Sequence, residues 1–160
     1  MSASIACIVY KDSKVLIAHR NPVGDMGGRW EFPGGKLDAG DDDFSAVVRE
    51  MREEFGVQAF PKSKIASCVF EHKNKQCSLN AYLVELEHDG IKKPFALTEH
   101  TEYKWVDPKI IPALNFVDSD LKIYPAVMEY LENLKWNKKL SCFFRFVCYF
   151  VLLVVTAIKK

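Results

Sequence analysis

The chain has 160 residues, of which 49% are hydrophobic and 27% charged, and a formal net charge of +1 at pH 7. With no low-complexity run and no internal repeat, it is bounded to one globular domain large enough for a proper core. Residues 1–136 hold 17 basic against 21 acidic side chains and show no basic stripe, which excludes nucleic-acid binding of the kind a phosphate backbone demands.

The N-terminus reads as two strands, Ser4–Tyr10 and Lys14–Arg20, joined by the polar turn Lys11-Asp12-Ser13. A loop with Pro22, Gly24, Gly27 and Gly28 leads to a short strand at Trp30–Phe32. The segment from Gly35 to Val57, GKLDAGDDDFSAVVREMREEFGV, then carries the most information in the chain. Phe44, Val47, Val48, Met51 and Phe55 recur at helical spacing and predict an apolar stripe. Glu50, Glu53 and Glu54 fall within roughly one quadrant of the opposite side, at 100° per residue. Like charges so placed repel by a few tenths of a kcal/mol per pair, and a hard divalent cation would offset that repulsion. Asp41, Asp42 and Asp43 sit where acidic side chains cap and complement a helix N-terminus. Gly34, Gly35 and Gly40 free the loop before the helix, and Gly56 stops it. Mg²⁺ prefers such oxygen ligands and bridges carboxylates to substrate phosphates. The bland alternative is a solvated acidic face paired with Arg49 and Arg52.

Further on, Lys64–His72 and Gln76–Leu86 predict a hairpin across Lys73-Asn74-Lys75, and Glu102–Val106 another short strand. Leu121, Tyr124, Val127, Met128, Leu131 and Leu134 predict an amphipathic helix over Asp118–Leu134. From residue 137 the character changes: 137–160 carries five basic and no acidic residues, and Leu140–Ile158 is apolar but for Arg145. The uninterrupted run Phe146–Ile158 falls short of the roughly 20 residues of a spanning helix, although Arg145 could snorkel toward headgroups. Three readings stay open for this tail: a membrane anchor or interfacial segment, a packed core or interface helix, and a fortuitous extension. Five cysteines (Cys7, Cys68, Cys77, Cys142, Cys148) are an odd number without metal-ligand spacing. With no secretory leader read at the start, they are expected to be reduced thiols in a cytoplasmic protein, membrane-associated if the tail is an anchor.

Read as a pattern, the central segment is G-x5-D-x7-R-E-M-x-E-E-x-G-V. It resembles the Nudix box, G-x5-E-x7-R-E-U-x-E-E-x-G-U with U aliphatic, in every fixed position but Asp41, where the family usually has Glu. The resemblance extends over roughly residues 3–133, so residues 1–136 are expected to form a Nudix domain of α/β class, an α/β/α sandwich with a mixed β-sheet between helices. It is nearest the MutT branch, which hydrolyses nucleoside triphosphates, oxidised ones included. Leu16-Ile17-Ala18-His19-Arg20, ahead of Glu31-Phe32-Pro33-Gly34-Gly35, matches that branch in content and spacing, and puts Arg20 at the position that contacts the nucleotide. Leu97-Thr98-Glu99-His100 resembles the loop bearing a further metal-binding or base-type carboxylate, Glu99. Asn115-Phe116-Val117-Asp118-Ser119-Asp120 resembles a segment ending at a base-recognising Asn or Asp, which falls on Asp120. A cap on the following helix is the structural alternative for Asp120. MutT has Asn there and a related cytidine-triphosphate branch has Asp.

The resemblance implies an enzyme that releases the monophosphate and pyrophosphate from a nucleoside triphosphate such as 8-oxo-dGTP, as in nucleotide-pool sanitation and DNA repair. A (d)CTP hydrolase, a hydrolase of another nucleoside-diphosphate derivative and a catalytically silent nucleotide-binding module are the alternatives. Glu50, Glu53, Glu54 and the Gly34 carbonyl, with Glu99, would hold Mg²⁺, for which Mn²⁺ can substitute. Glu53 is the favoured base-type residue and Glu99 the other candidate, with Arg49 orienting Glu53. Phe32 would pack near the base and Lys36 would meet phosphate charge. Oligomeric state is left open.

Overall fold

The computed structural model describes residues 2–87, 91 and 99–137. In chain order the elements are β1 (Ser2–Lys11), β2 (Lys14–Arg20), β3 (Trp30–Glu31), α1 (Asp43–Phe55), β4 (Ala59–His72), β5 (Lys75–Leu86) and β6 (His100–Val106). A 3-10 turn, Pro108–Ala113, follows, and then α2, helical from residue 118 to 137. Residues up to Val127 make one compact unit and those from Met128 on a second. The fold described below is that of the first. In the second, residues 128–137 continue as helix, and the remainder of the tail, with the anchor reading placed on it, lies outside the described residues.

The sheet is mixed. β1 runs parallel to β5, with Ser2 opposite Cys77 and Val9 opposite Val84. β4 is antiparallel to β5, and β2 is antiparallel to β1, β3 and β6. Both hairpins turn on two residues in the left-handed region, Asp12-Ser13 (φ 50° and 63°) and Lys73-Asn74 (φ 51° and 58°). That geometry matches the twist of the strands it joins, so the turns are one residue tighter than expected from sequence.

Alternation along the strands puts Ile5, Cys7, Val9, Leu16 and Ala18 into a core with Val47, Met51 and Phe55 of α1. The intervening residues Ile8, Val15 and Ile17 are equally buried, as are Ile111, Phe116, Ile123 and Val127. The central strands are therefore covered on both faces, which explains their near-continuous apolar sequence.

Several expectations need correction. β4 begins at Ala59, not Lys64, and passes through Pro61. Proline is tolerated there because β4 is the edge strand and its register slips between Pro61 and Lys64. The buried stripe of α1 is rotated from the predicted one: Phe44 is 45% exposed, its ring edge-on to Tyr82, while Ala46 and Glu54 are buried. On α2 the buried apolar positions are Ile123, Val127 and Leu131, so Ile123 was missing from the predicted stripe. The 3-10 turn was not foreseen; its two prolines, Pro108 and Pro112, mask helical periodicity.

Candidate active site

The glycine loop is laid down as an irregular strand along β1. Ile5 N–H donates to the Gly35 carbonyl (2.8 Å), Cys7 N–H to Pro33 (2.7 Å) and Leu37 N–H to Ala3 (3.0 Å). Gly34 has φ +146°, and a Cβ there would run into the Ile5 carbonyl. Beside it, a Cβ on Gly35 would fall on the Glu50 carboxylate. Both glycines are thus dictated by contact, one by backbone and one by a carboxylate that needs the space.

Helix α1 starts at Asp42, whose side chain accepts from Ser45 N–H (2.8 Å) while Ser45 Oγ accepts from Asp42 N–H (3.0 Å). It ends at Gly56 in the left-handed conformation. Asp43 accepts from the Tyr82 hydroxyl and from Asn80 Nδ2, tying the first turn to β5. From this fixed start the last three turns bring Glu50, Glu53 and Glu54 toward the loop.

Arg49 fastens the two together. Nε and Nη2 donate to Asp41 Oδ2 (3.1 and 2.9 Å), Nη1 donates to Glu50 Oε1 (2.8 Å), and Nη2 also reaches the Lys36 carbonyl (2.9 Å). Glu53 is touched only at 3.4 Å and its side chain is 61% exposed. Burial works against the Arg49 charge, yet the bonds from Asp41 and Glu50 hold its pKa above the ordinary value.

The carboxylates differ sharply in surroundings. Burial raises Glu50, against the pull of Arg49. Glu54 is 4% exposed, and burial, together with the charges of Glu50, Glu31 and Glu99, pushes it up to about 9, against a hydrogen bond from Gly34 N–H. A cation beside such a group would favour its carboxylate form. Among the described residues no three acidic, histidine or cysteine side chains close into a cage. The donors are instead all oxygen and spread along one helix face, beside the loop space that Gly35 leaves. That arrangement fits Mg²⁺, which keeps several waters and shares its coordination with substrate phosphates.

From this end a cleft of about 320 Å³ runs between the loop, β1 and the start of α2, lined by Arg20, Glu31, Phe32, Lys36, Phe70 and Asp120 among others. The segment leading into α2 is zipped onto β3: Trp30 N–H donates to Asn115 O (2.8 Å) and Val117 N–H to Trp30 O (2.8 Å). Arg29 completes the attachment through the Phe116 carbonyl and a forked pair with Asp118. Asp120 lies in the first turn of α2, where it accepts from Phe32 N–H (2.8 Å) rather than capping its own helix. It is 5% exposed, and burial raises its pKa to about 7 despite that bond. Phe32 is buried edge-on to Phe116.

Every predicted site residue thus lies at the cleft or on the helix beside it, except Glu99, which stands just before β6 with its carbonyl accepting from Asn21 N–H (2.9 Å) and its charge felt by Glu50 and Glu54. Sequence reasoning missed Glu31 and His100. Both stood within the quoted motifs, Glu31-Phe32-Pro33 and Glu99-His100, and were read only as flanks. In the structure they form a buried pair (Nε2–Oε1 2.9 Å). Asp38 was also missed; it lies 3.5 Å from Arg49 Nε.

Residues 2–127 match the NUDIX domain. The chain belongs to the Nudix hydrolase family. This Nudix hydrolase is 31% identical over 124 residues to the CTP pyrophosphohydrolase of Escherichia coli, a match covering 78% of this chain and 89% of that protein. It is 30% identical over 120 residues to the 8-oxo-dGTP diphosphatase of Haemophilus influenzae, covering 75% and 85%. The solution structure of the E. coli ORF135 protein superposes with a TM-score of 0.71 at 30% identity, over 81% of this chain and 89% of that one.

Proposed function

We propose that this Nudix hydrolase splits nucleoside triphosphates into the monophosphate and pyrophosphate in a Mg²⁺-dependent reaction, with oxidised substrates such as 8-oxo-dGTP preferred. The observation that carries the reading is the pairing of a carboxylate-bearing helix with a cleft that ends on a buried Asp120. The relatives named for 8-oxo-dGTP and CTP support the same reaction type.

Glu50, Glu53 and Glu54, the Gly34 carbonyl and Glu99 would hold the cation. When bound, Mg²⁺ (or Mn²⁺) neutralises phosphate charge and acidifies a coordinated water. Arg20 and Lys36 meet the nucleotide and its phosphates, Phe32 packs near the base, and Asp120 offers the base edge a carboxyl that donates or accepts according to its proton. Glu53, exposed and lightly held, takes a proton from the attacking water, while Arg49 fixes the neighbouring helix surface. The catalytic domain is residues 1–136.

A second reading, (d)CTP as substrate, is favoured by the acid at position 120 and by the likeness to the CTP pyrophosphohydrolase. Pyrophosphate release with Mg²⁺ across normal and oxidised (d)NTPs separates the two. Preference for 8-oxo-dGTP upholds the first reading and preference for a cytidine triphosphate the second. Nucleotide binding without any pyrophosphate release overturns both in favour of a silent binding module.

A further inference from the structure

Arg20 and His100 are ladder partners on β2 and β6, at the point where the register of that pairing slips. Glu31, at the end of β3, stands between them. Arg20 Nη1 donates to both Glu31 oxygens (2.7 and 3.0 Å), and His100 Nε2–H donates to Oε1 (2.9 Å). The imidazole is itself immobilised: it is 2% exposed and its ring stacks on Phe55 with 6.0 Å between centroids. Its Nδ1 has no hydrogen-bond partner among the described residues and faces Glu54 Oε1 at 3.6 Å. Arg20 Nε is buried and without a partner among the described residues as well, so among these Glu31 is the side chain that anchors the guanidinium. Arg20 and Glu31 both line the cleft.

A free arginine side chain carries substantial rotamer entropy, which a ligand must remove on binding. An arginine already fixed by a buried carboxylate has given up that freedom during folding. The carboxylate can fix it only if its own plane is set, and a single ion pair leaves that plane free to rotate. The second donor, His100, sets it. We infer that Glu31 and His100 are positioning residues for substrate binding: through two successive hydrogen bonds they hold the Arg20 guanidinium at the cleft wall in the orientation the nucleotide meets. The chain of bonds also ends beside Glu54, so the substrate end of the cleft and the carboxylate helix share one immobile imidazole. This inference rests on the role given to Arg20 in the proposed function.

The test uses the full chain and two readouts. The first is ¹⁵N NMR of the Arg20 guanidinium, with rotation about its Nε–Cζ bond restrained in the wild type. Glu31→Gln and His100→Gln should each release it. Either variant reports on the same signal, so a folding failure in one leaves the other decisive. The second readout is kinetic, on whichever triphosphate the wild type turns over. Glu31→Gln should raise KM about tenfold, with kcat changing less than KM. Adding His100→Gln to Arg20→Ala should then change KM by less than about twofold, because the two act through one group. An Arg20 signal that stays restrained in both variants, or a His100→Gln effect undiminished in the Arg20→Ala background, overturns the inference. If no triphosphate is hydrolysed, the proposed function fails by itself and the NMR result alone decides whether Arg20 is held as described.

Discussion

Arg49 and Asp41 are joined by two hydrogen bonds to one carboxylate oxygen, from Nε at 3.1 Å and Nη2 at 2.9 Å. The family's usual glutamate is replaced here by the shorter aspartate, and the guanidinium reaches across to it. Arg49→Lys keeps the charge and loses the fork, so Asp41, Glu50 and the Lys36 carbonyl can no longer be served together. The expected outcome is a loss of about 1–2 kcal/mol in denaturant unfolding and a fall in turnover of about tenfold or more, as Glu50 leaves its place.

Gly34 and Gly35 should fail differently. Gly35→Ala puts a methyl on the Glu50 carboxylate, and should lower turnover and apparent Mg²⁺ affinity about tenfold or more while melting stays near the wild type. Gly34→Ala meets backbone at φ +146° and should lower stability by about 2–3 kcal/mol. Thermal melts beside metal titrations distinguish them.

Glu53→Gln should lower kcat by about a hundredfold or more without a change in melting, since its side chain is 61% exposed. Unchanged turnover would remove Glu53 from the base role and leave Glu99 as the candidate. Glu54, buried and pushed up to about 9, should behave as the cation-sensitive member: Mg²⁺ should raise the melting temperature more at alkaline than at acid pH, and Glu54→Gln should abolish that difference.

Asp120 ties stability to pH. Its carboxyl titrates ordinarily near 3.8 and in the fold at about 7. The native state therefore keeps a proton that the unfolded chain gives up. Its contribution is complete below the ordinary value and is lost as pH rises through about 7. Asp120→Asn has no proton to lose, so its melting temperature relative to wild type should climb between about pH 5 and pH 8. A difference independent of pH would contradict the assignment. The same substitution should alter the ranking of bases in the pyrophosphate assay.

The box helix was legible because its caps, glycines and acidic row are local, each written within a turn of the residue it serves. So were β2 and the place of each hairpin turn, though each turn is one residue tighter than expected. What sequence could not show was contact between distant residues. Glu54 was read onto the charged face, and its burial follows from His100 and Glu31 arriving from β6 and β3. Asp120 was read as either a cap or a base contact; its bond to Phe32 N–H depends on the β3 zipper. Pro61 disguised the first third of β4, because a proline at an edge strand and one in a loop look alike in sequence.

The parallel pairing of β1 with β5 has a consequence for synthesis. Strand β1 must wait for residues up to Val84 before Val9 has its neighbour, with the hairpin contacts Tyr10–Val15 and Lys11–Lys14 to β2 and the bonds of Ala3, Ile5 and Cys7 to the glycine loop in the meantime. Ile5, Ile8 and Val9 stay without their sheet partners during that interval, the slow, aggregation-exposed stage of a topology dominated by distant contacts. A chain halted before β5 is complete would therefore be sticky rather than partly native, and dependent on chaperones.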